Sequence, residues 1–367
     1  MPEMAVPELL ARAAREIDEG ILPSCQVALA RDGELIAFEA FGDTTTDTRY
    51  SVFSATKAIV ASAAWLLIGE GLLDVGRRVG EYVPEFATNG KEAVTVEQLM
   101  LHTGGFPHAA MLPPEWSTRE GRLRMFADWK LSFEPGTAFE YHPTSAHWVL
   151  AEMIERLGGM DYRDFVQQRI TDPVGLPRRV LGLGPDDHND IALVEMRGDV
   201  ASGDELEAAL GVRELEVGEV TNDALLAFNL PEVRTLGLPG AGGVMRAADL
   251  ALFYQALLHN PKGIWDDAVL RDATGGVRNR LPDKLFKLPA NRTLGLTQAG
   301  DDGFAFLRGF GSTVSGRAFG HGGAGGQIAW ADPGSGLSFA YVTNGIDANV
   351  IRQAKRGIEL SSLAGAC

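Results

Sequence analysis

YSVFSATKAIVASAAWLLIGEGLL, residues 50–73, sets a serine and a lysine three positions apart at the mouth of an apolar run. Residues three apart on a helix share a face, so Lys57 can reach the Ser54 hydroxyl. A serine hydroxyl is a weak nucleophile at neutral pH and needs a base within hydrogen-bond distance. A lysine at the head of a buried helix is costly unless something uses it. The pair therefore reads as nucleophile and base. The plain alternative is that Ser54 caps the helix while Lys57 extends to solvent.

The surrounding chain narrows the class. It has 367 residues, 45% of them hydrophobic and 22% charged, which fits an ordinary globular protein with a large core. A net charge of −16 argues against nucleic acid or an anionic membrane as partner. The run Ala58–Ile68 is too short to cross a bilayer. The first twenty residues lack a signal peptide's pattern and read as an amphipathic helix, with Glu8, Glu16, Asp18 and Glu19 towards solvent, so a cytoplasmic protein is expected. Two cysteines, Cys25 and Cys367, imply no disulfide framework. The seven histidines show no H-E-x-x-H spacing, and neither a metal nor a cofactor is expected. No G-x-S-x-G elbow occurs either.

Strands are predicted at both ends of the chain. Cys25–Ala30 and Leu35–Phe41 flank the hairpin turn Asp32-Gly33, and Gln327–Ala331 and Leu337–Thr343 flank Pro-Gly-Ser-Gly. Helical spacing dominates between them, in TVEQLMLHTGG (threonine cap, glycine stop), SAHWVLAEMIERLGG and AADLALFYQALLHN, and a last helix is expected over roughly 348–363. The acidic stretch 184–223 reads as surface loop and short helix. The expected fold class is α+β: an antiparallel sheet flanked by helices, from 1–80 and 295–367, with a mainly helical domain over 81–294 and the active site in the cleft between.

Two further segments bear chemistry. In EPGTAFEYHPTSAHW, Tyr141 stands just before a helix, where a phenol near a lysine can shuttle protons; a packed aromatic is the ordinary reading. In FGHGGAGGQIAW, glycines around His321 precede a strand and allow close backbone approach. An N–H there, that of Ala324, can pair with the N–H of Ser54 as an oxyanion hole.

Taken in order, Ser54-Ala-Thr-Lys57, Tyr141-His142-Pro143 and His321-Gly322-Gly323 resemble the three motifs of the serine β-lactamase and penicillin-binding-protein superfamily. GLLDVGRRVGEYVPEF, VTVEQLMLHTGGFP and GLPGAGGVMRAADLALFYQALL match it too, over about residues 10–345. The closer likeness is to its class C-like branch of esterases (family VIII carboxylesterases), D-aminopeptidases and transacylases. The resemblance implies a β-lactamase/DD-peptidase-like fold, Ser54 as nucleophile, Lys57 and Tyr141 as base, and Ser54 and Ala324 as oxyanion hole. It implies a substrate-binding role for His321, Gly322, Gly323 and Pro143, and Phe106 is expected either in an apolar acyl pocket or in the core.

Departures from the family pattern bear on substrate. Its usual third motif, Lys-Thr-Gly, supplies an ammonium and a hydroxyl for a substrate carboxylate; His321 is uncharged at pH 7 and Gly322 has no side chain. Pro143 offers neither a side-chain donor nor a backbone N–H. A carboxylesterase on small or medium acyl esters is therefore the leading expectation. Acyl transfer to an amine or alcohol, weak β-lactamase or D-aminopeptidase activity, and a non-catalytic binding relative are the alternatives. A small-molecule acyl donor is the partner expected, and a homo-oligomer is compatible. His102, at a helix end, is assigned to structure.

Overall fold

The computed structural model describes residues 2–215, 218–284 and 286–367. Its central sheet draws strands from both ends of the chain: β1 (Ser24–Arg31), β2 (Glu34–Gly42), β3 (Thr297–Gln298), β4 (Phe319–Gly320), β5 (Ile328–Asp332) and β6 (Leu337–Thr343). The order is β2-β1-β6-β5-β4-β3, antiparallel throughout. Asp32 and Gly33, at φ 53° and 82°, close the first hairpin, and Arg31 pairs with Glu34. Two successive positive φ values match the right-handed twist of the flanking strands, which explains why Asp-Gly stands there.

The central strands β1, β5 and β6 are buried on both faces, so they are apolar without clean alternation, while edge strand β2 is largely exposed or half-buried. What alternates is size. Cys25, Val27 and Leu29 join Phe339, Tyr341 and Trp330 under helices α1 (Pro2–Asp18) and α6 (Val350–Gly365). Ala28, Ala30, Ala329 and Ala340 face the other way, towards the main core. Those small side chains let helix α5 (Ala247–His259) lie against the sheet. There Gln255 Nε2 donates to Ala30 O and Ser338 Oγ, and Ser338 Oγ donates to Ala251 O.

One expectation for α1 fails. Glu16 does not face solvent: it is buried, accepting from Arg12 at 3.0 Å and from Arg356 at 2.8 Å. Burying a carboxylate is tolerable only with such partners, and Arg356 comes from α6 at the other end of the chain.

Helix α2 (Thr56–Gly69) runs through the main core and is apolar all round because it is buried all round. Ile59, Val60, Trp65 and Leu67 each gain roughly 1.5–3 kcal/mol on burial. Trp65 Nε1 finds Leu294 O at 2.9 Å. Among the described residues no helix is long and apolar enough to cross a membrane.

Helix α3 (Val96–Met100) has its expected cap, a reciprocal pair in which Thr95 Oγ1 accepts from Gln98 N and Gln98 Oε1 accepts from Thr95 N. It stops before the glycines, because His102 adopts φ 57° and Thr103 N turns back to Gln98 O. Helix α4 (Ser145–Gly158) packs on α2 and ends at Gly159, φ 70°.

Candidate active site

Ser54 lies in a tight 3-10 turn, Phe53–Ala55, leading straight into α2. Phe53 takes φ 45°, a strained conformation for an aromatic residue, held by burial of its ring against Phe228. Thr56 clasps the turn: its hydroxyl donates to Phe53 O at 2.6 Å and accepts from Gly243 N at 2.8 Å. Ser54 makes no capping hydrogen bond to the helix. The capping alternative therefore fails, and the hydroxyl is left for Lys57.

Lys57 is fully buried, so the snorkelling alternative fails as well. Its Nζ lies 3.2 Å from Ser54 Oγ, 2.6 Å from Pro143 O and 2.7 Å from Gly240 O. These three contacts suit either protonation state. The ammonium donates to all three oxygens. The amine donates to the two carbonyls and turns its lone pair to the Ser54 proton. Pro143, which brings no side-chain donor, thus contributes its carbonyl. Gly240 is small for a reason, since a Cβ there would lie 3.1 Å from Pro143 O and 3.3 Å from Lys57 Nζ.

Tyr141 flanks the lysine, with Nζ 5.1 Å from its ring centroid. Its hydroxyl is buried and has no hydrogen-bond partner among the described residues. The ring lies 5.9 Å from that of His321 and 4.8 Å from that of His102.

His321 anchors the third segment. Its N–H points to Ala329 O and the Tyr254 hydroxyl, and its Nδ1 lies 2.8 Å from Gly322 O. Gly323 packs so close to the serine turn that a Cβ would lie 2.2 Å from Val52 O. Glycine is required there by close approach. Ala324 follows at once, and neither its N–H nor that of Ser54 has an acceptor among the described residues.

Ser54, Lys57, Tyr141, Pro143, His321 and Gly323 are thus neighbours, with Gly322 exposed at the rim. Phe106 is not part of this cluster's surface. It is fully buried, its ring against Phe86, Trp129 and His142, so the acyl-pocket reading is corrected to core packing. His142 supports that loop by accepting the Phe106 N–H on Nε2, with Nδ1 2.6 Å from Glu140 O. His102 accepts the His142 N–H on Nδ1, a structural role as expected.

Three contributors were missed by sequence reasoning. The Gly240 carbonyl comes from GLPGAGGV, whose glycine density signals close approach but not to what. Arg292 carried no signal. Glu219, from the acidic stretch, accepts from Thr144 Oγ1 at 2.8 Å beside the lysine's surroundings. Elsewhere in that stretch Asp187 and Asp190 pair with buried Arg49, and Gly203–Leu210 is a helix; residues 216–217 lie outside the described residues.

Burial lowers the pKa values of the site's histidines: His142 falls to about 4, and His102, His147 and His321 fall well below 6.5. Below the unfolded value of 6.5 the unfolded chain binds protons that the folded chain does not. Stability is therefore full above that pH and is lost as pH falls towards 4. His142 alone loses about 2 kcal/mol by pH 5. Glu155 and Glu219, whose carboxyls burial pushes up, act in the opposite sense. The expected result is a urea midpoint that falls between pH 7 and pH 5; an unchanged midpoint contradicts this.

The chain resembles known proteins in family and in fold. A family model described as Beta-lactamase matches residues 10–362. Esterase/beta-lactamase LipL of Mycobacterium tuberculosis is 28% identical over 322 residues, covering 82% of this chain and 70% of that protein. The crystal structure of a penicillin-binding protein homolog from Caulobacter crescentus superposes with TM-score 0.81 at 25% identity, covering 99% of this chain and 97% of that one. A family VIII carboxylesterase structure follows the same fold, TM-score 0.77 at 24% identity, covering 98% and 97%.

Proposed function

Because the chain belongs to the Beta-lactamase family, we propose that it is a serine hydrolase forming an acyl-enzyme at Ser54, and a carboxylesterase on small or medium acyl esters. The observation that carries this is the contact of Lys57 Nζ with Ser54 Oγ at 3.2 Å, held from behind by two carbonyls.

Lys57 takes the Ser54 proton as Oγ attacks the ester carbon. The oxyanion that develops accepts from the N–H groups of Ser54 and Ala324. As the C–O bond to the leaving alcohol breaks, that proton passes to the alkoxide, through Lys57 and the Tyr141 hydroxyl. Water then enters, gives up a proton along the same route, and releases the acid with Ser54 restored. His321 and Gly322 supply neither the ammonium nor the hydroxyl usual at the third motif, which favours esters over β-lactams. The esterase named among its relatives supports the same reading.

The test is release of nitrophenol from p-nitrophenyl esters of two to eight acyl carbons at pH 8. Saturable turnover with an optimum at short or medium length is expected. A folded sample that turns over none of them contradicts the esterase reading.

A further inference from the structure

Tyr141 belongs to two surroundings at once. One of its sides meets Lys57; it also lines a second cavity of about 210 Å³, with Phe139, Phe286, Leu288, Leu307 and Arg292. Apolar rings and aliphatic chains make most of that wall. Asp283, Thr297, Arg308 and Arg292 are the polar exceptions, and nothing in the proposed reaction uses Arg292.

Arg292 is only 5% exposed. Its guanidinium carbon lies 5.9 Å from the Tyr141 ring centroid, and Nη1 donates to Thr297 Oγ1. Nε and Nη2 have no acceptor among the described residues, and no carboxylate there lies within ion-pair distance. Buried Arg49 pairs with Asp187 and Asp190, and buried Arg356 with Glu16; buried Arg234, which likewise forms no ion pair among the described residues, donates to Phe228 O and does not line this cavity. The other charged groups on this cavity are engaged: Arg308 pairs with Asp302 at 2.5 Å, and Asp283 accepts the Phe286 N–H at 3.0 Å. Burial pushes the Arg292 guanidinium down to about 10, which leaves it charged at neutral pH.

A buried cation without a counter-ion is costly, and the cost is recovered only when an anion arrives. Nε and Nη2 form one edge of the guanidinium, the fork that meets both oxygens of a carboxylate side-on. We infer that Arg292 forms a carboxylate subsite beside Tyr141, so that the substrate is an ester carrying a carboxylate at its far end, its apolar spacer lying in the Phe139–Leu288 cavity. This rests on the reading of the site as an esterase and adds the substrate class.

The experiment measures binding rather than turnover. Ser54→Ala is titrated calorimetrically with monomethyl glutarate, which carries the carboxylate on the acyl side, with 4-acetoxybutyrate, which carries it on the alcohol side, and with neutral dimethyl glutarate. At least one of the two carboxylates is expected to bind roughly tenfold or more tighter than the diester. Which one does so tells the side of the ester. Adding Arg292→Met should remove the preference, and Arg292→Lys should restore part of it. Equal binding of all three compounds, or a preference that survives Arg292→Met, overturns the inference. If Arg292→Met does not fold, the comparison of ligands on Ser54→Ala and on its Arg292→Lys derivative decides. Carboxylate-selective binding without hydrolysis by the wild type would count against the esterase reading and leave the subsite standing.

Discussion

Ser54→Ala lowers p-nitrophenyl butyrate hydrolysis by about 10⁴-fold or more, because the remaining groups can bind and polarise the ester but cannot form the covalent intermediate. The protein should remain folded. Among the described residues Ser54 Oγ hydrogen-bonds only Lys57 and caps no helix, so its loss costs at most about 1 kcal/mol. Loss of activity with an unchanged unfolding midpoint is the expected pair of results. A variant that keeps a tenth of the activity would place the nucleophile elsewhere.

Lys57→Met is the second large effect. Methionine keeps the length of the side chain and removes the base, and loss of a positioned base costs about 10²- to 10⁴-fold in rate. Its effect on stability is a balance. Pro143 O and Gly240 O lose their donor, at roughly 1–3 kcal/mol each, while the cost of burying the polar Lys57 nitrogen is relieved by a similar amount. A near-neutral change in stability beside a collapse in kcat is therefore expected, measured by urea unfolding and steady-state kinetics. A steep loss of stability with kcat preserved would make Lys57 a structural residue.

The parts of this site that could be read from sequence are those whose chemistry is local. Ser54 and Lys57 stand three apart in one turn, so their contact follows from helical geometry, and Tyr141 follows from its place before α4. The hairpins were legible because Asp32-Gly33 and the Pro-Gly-Ser-Gly turn encode their own backbone. Distant partners were not. Glu16 looks like a solvent residue until Arg356, near the other end of the chain, is brought beside it. Phe106 was ambiguous because an apolar ring in a loop is the same letter in a pocket or a core, and only its packing against Phe86 and Trp129 decides. The Pro143 and Gly240 carbonyls are backbone atoms, which no residue type advertises. Arg292 is a charge whose meaning lies in the counter-ion it lacks.

The acyl-enzyme itself is the most direct test. The wild-type protein is mixed with p-nitrophenyl butyrate at pH 8, quenched in acid within the first turnovers, digested and read by mass spectrometry. A butyryl group on the peptide containing Ser54, absent from Ser54→Ala treated alike, is the predicted result. Steady turnover with the butyryl group on another residue, or with none on Ser54 in the quenched sample and full activity in Ser54→Ala, would contradict it.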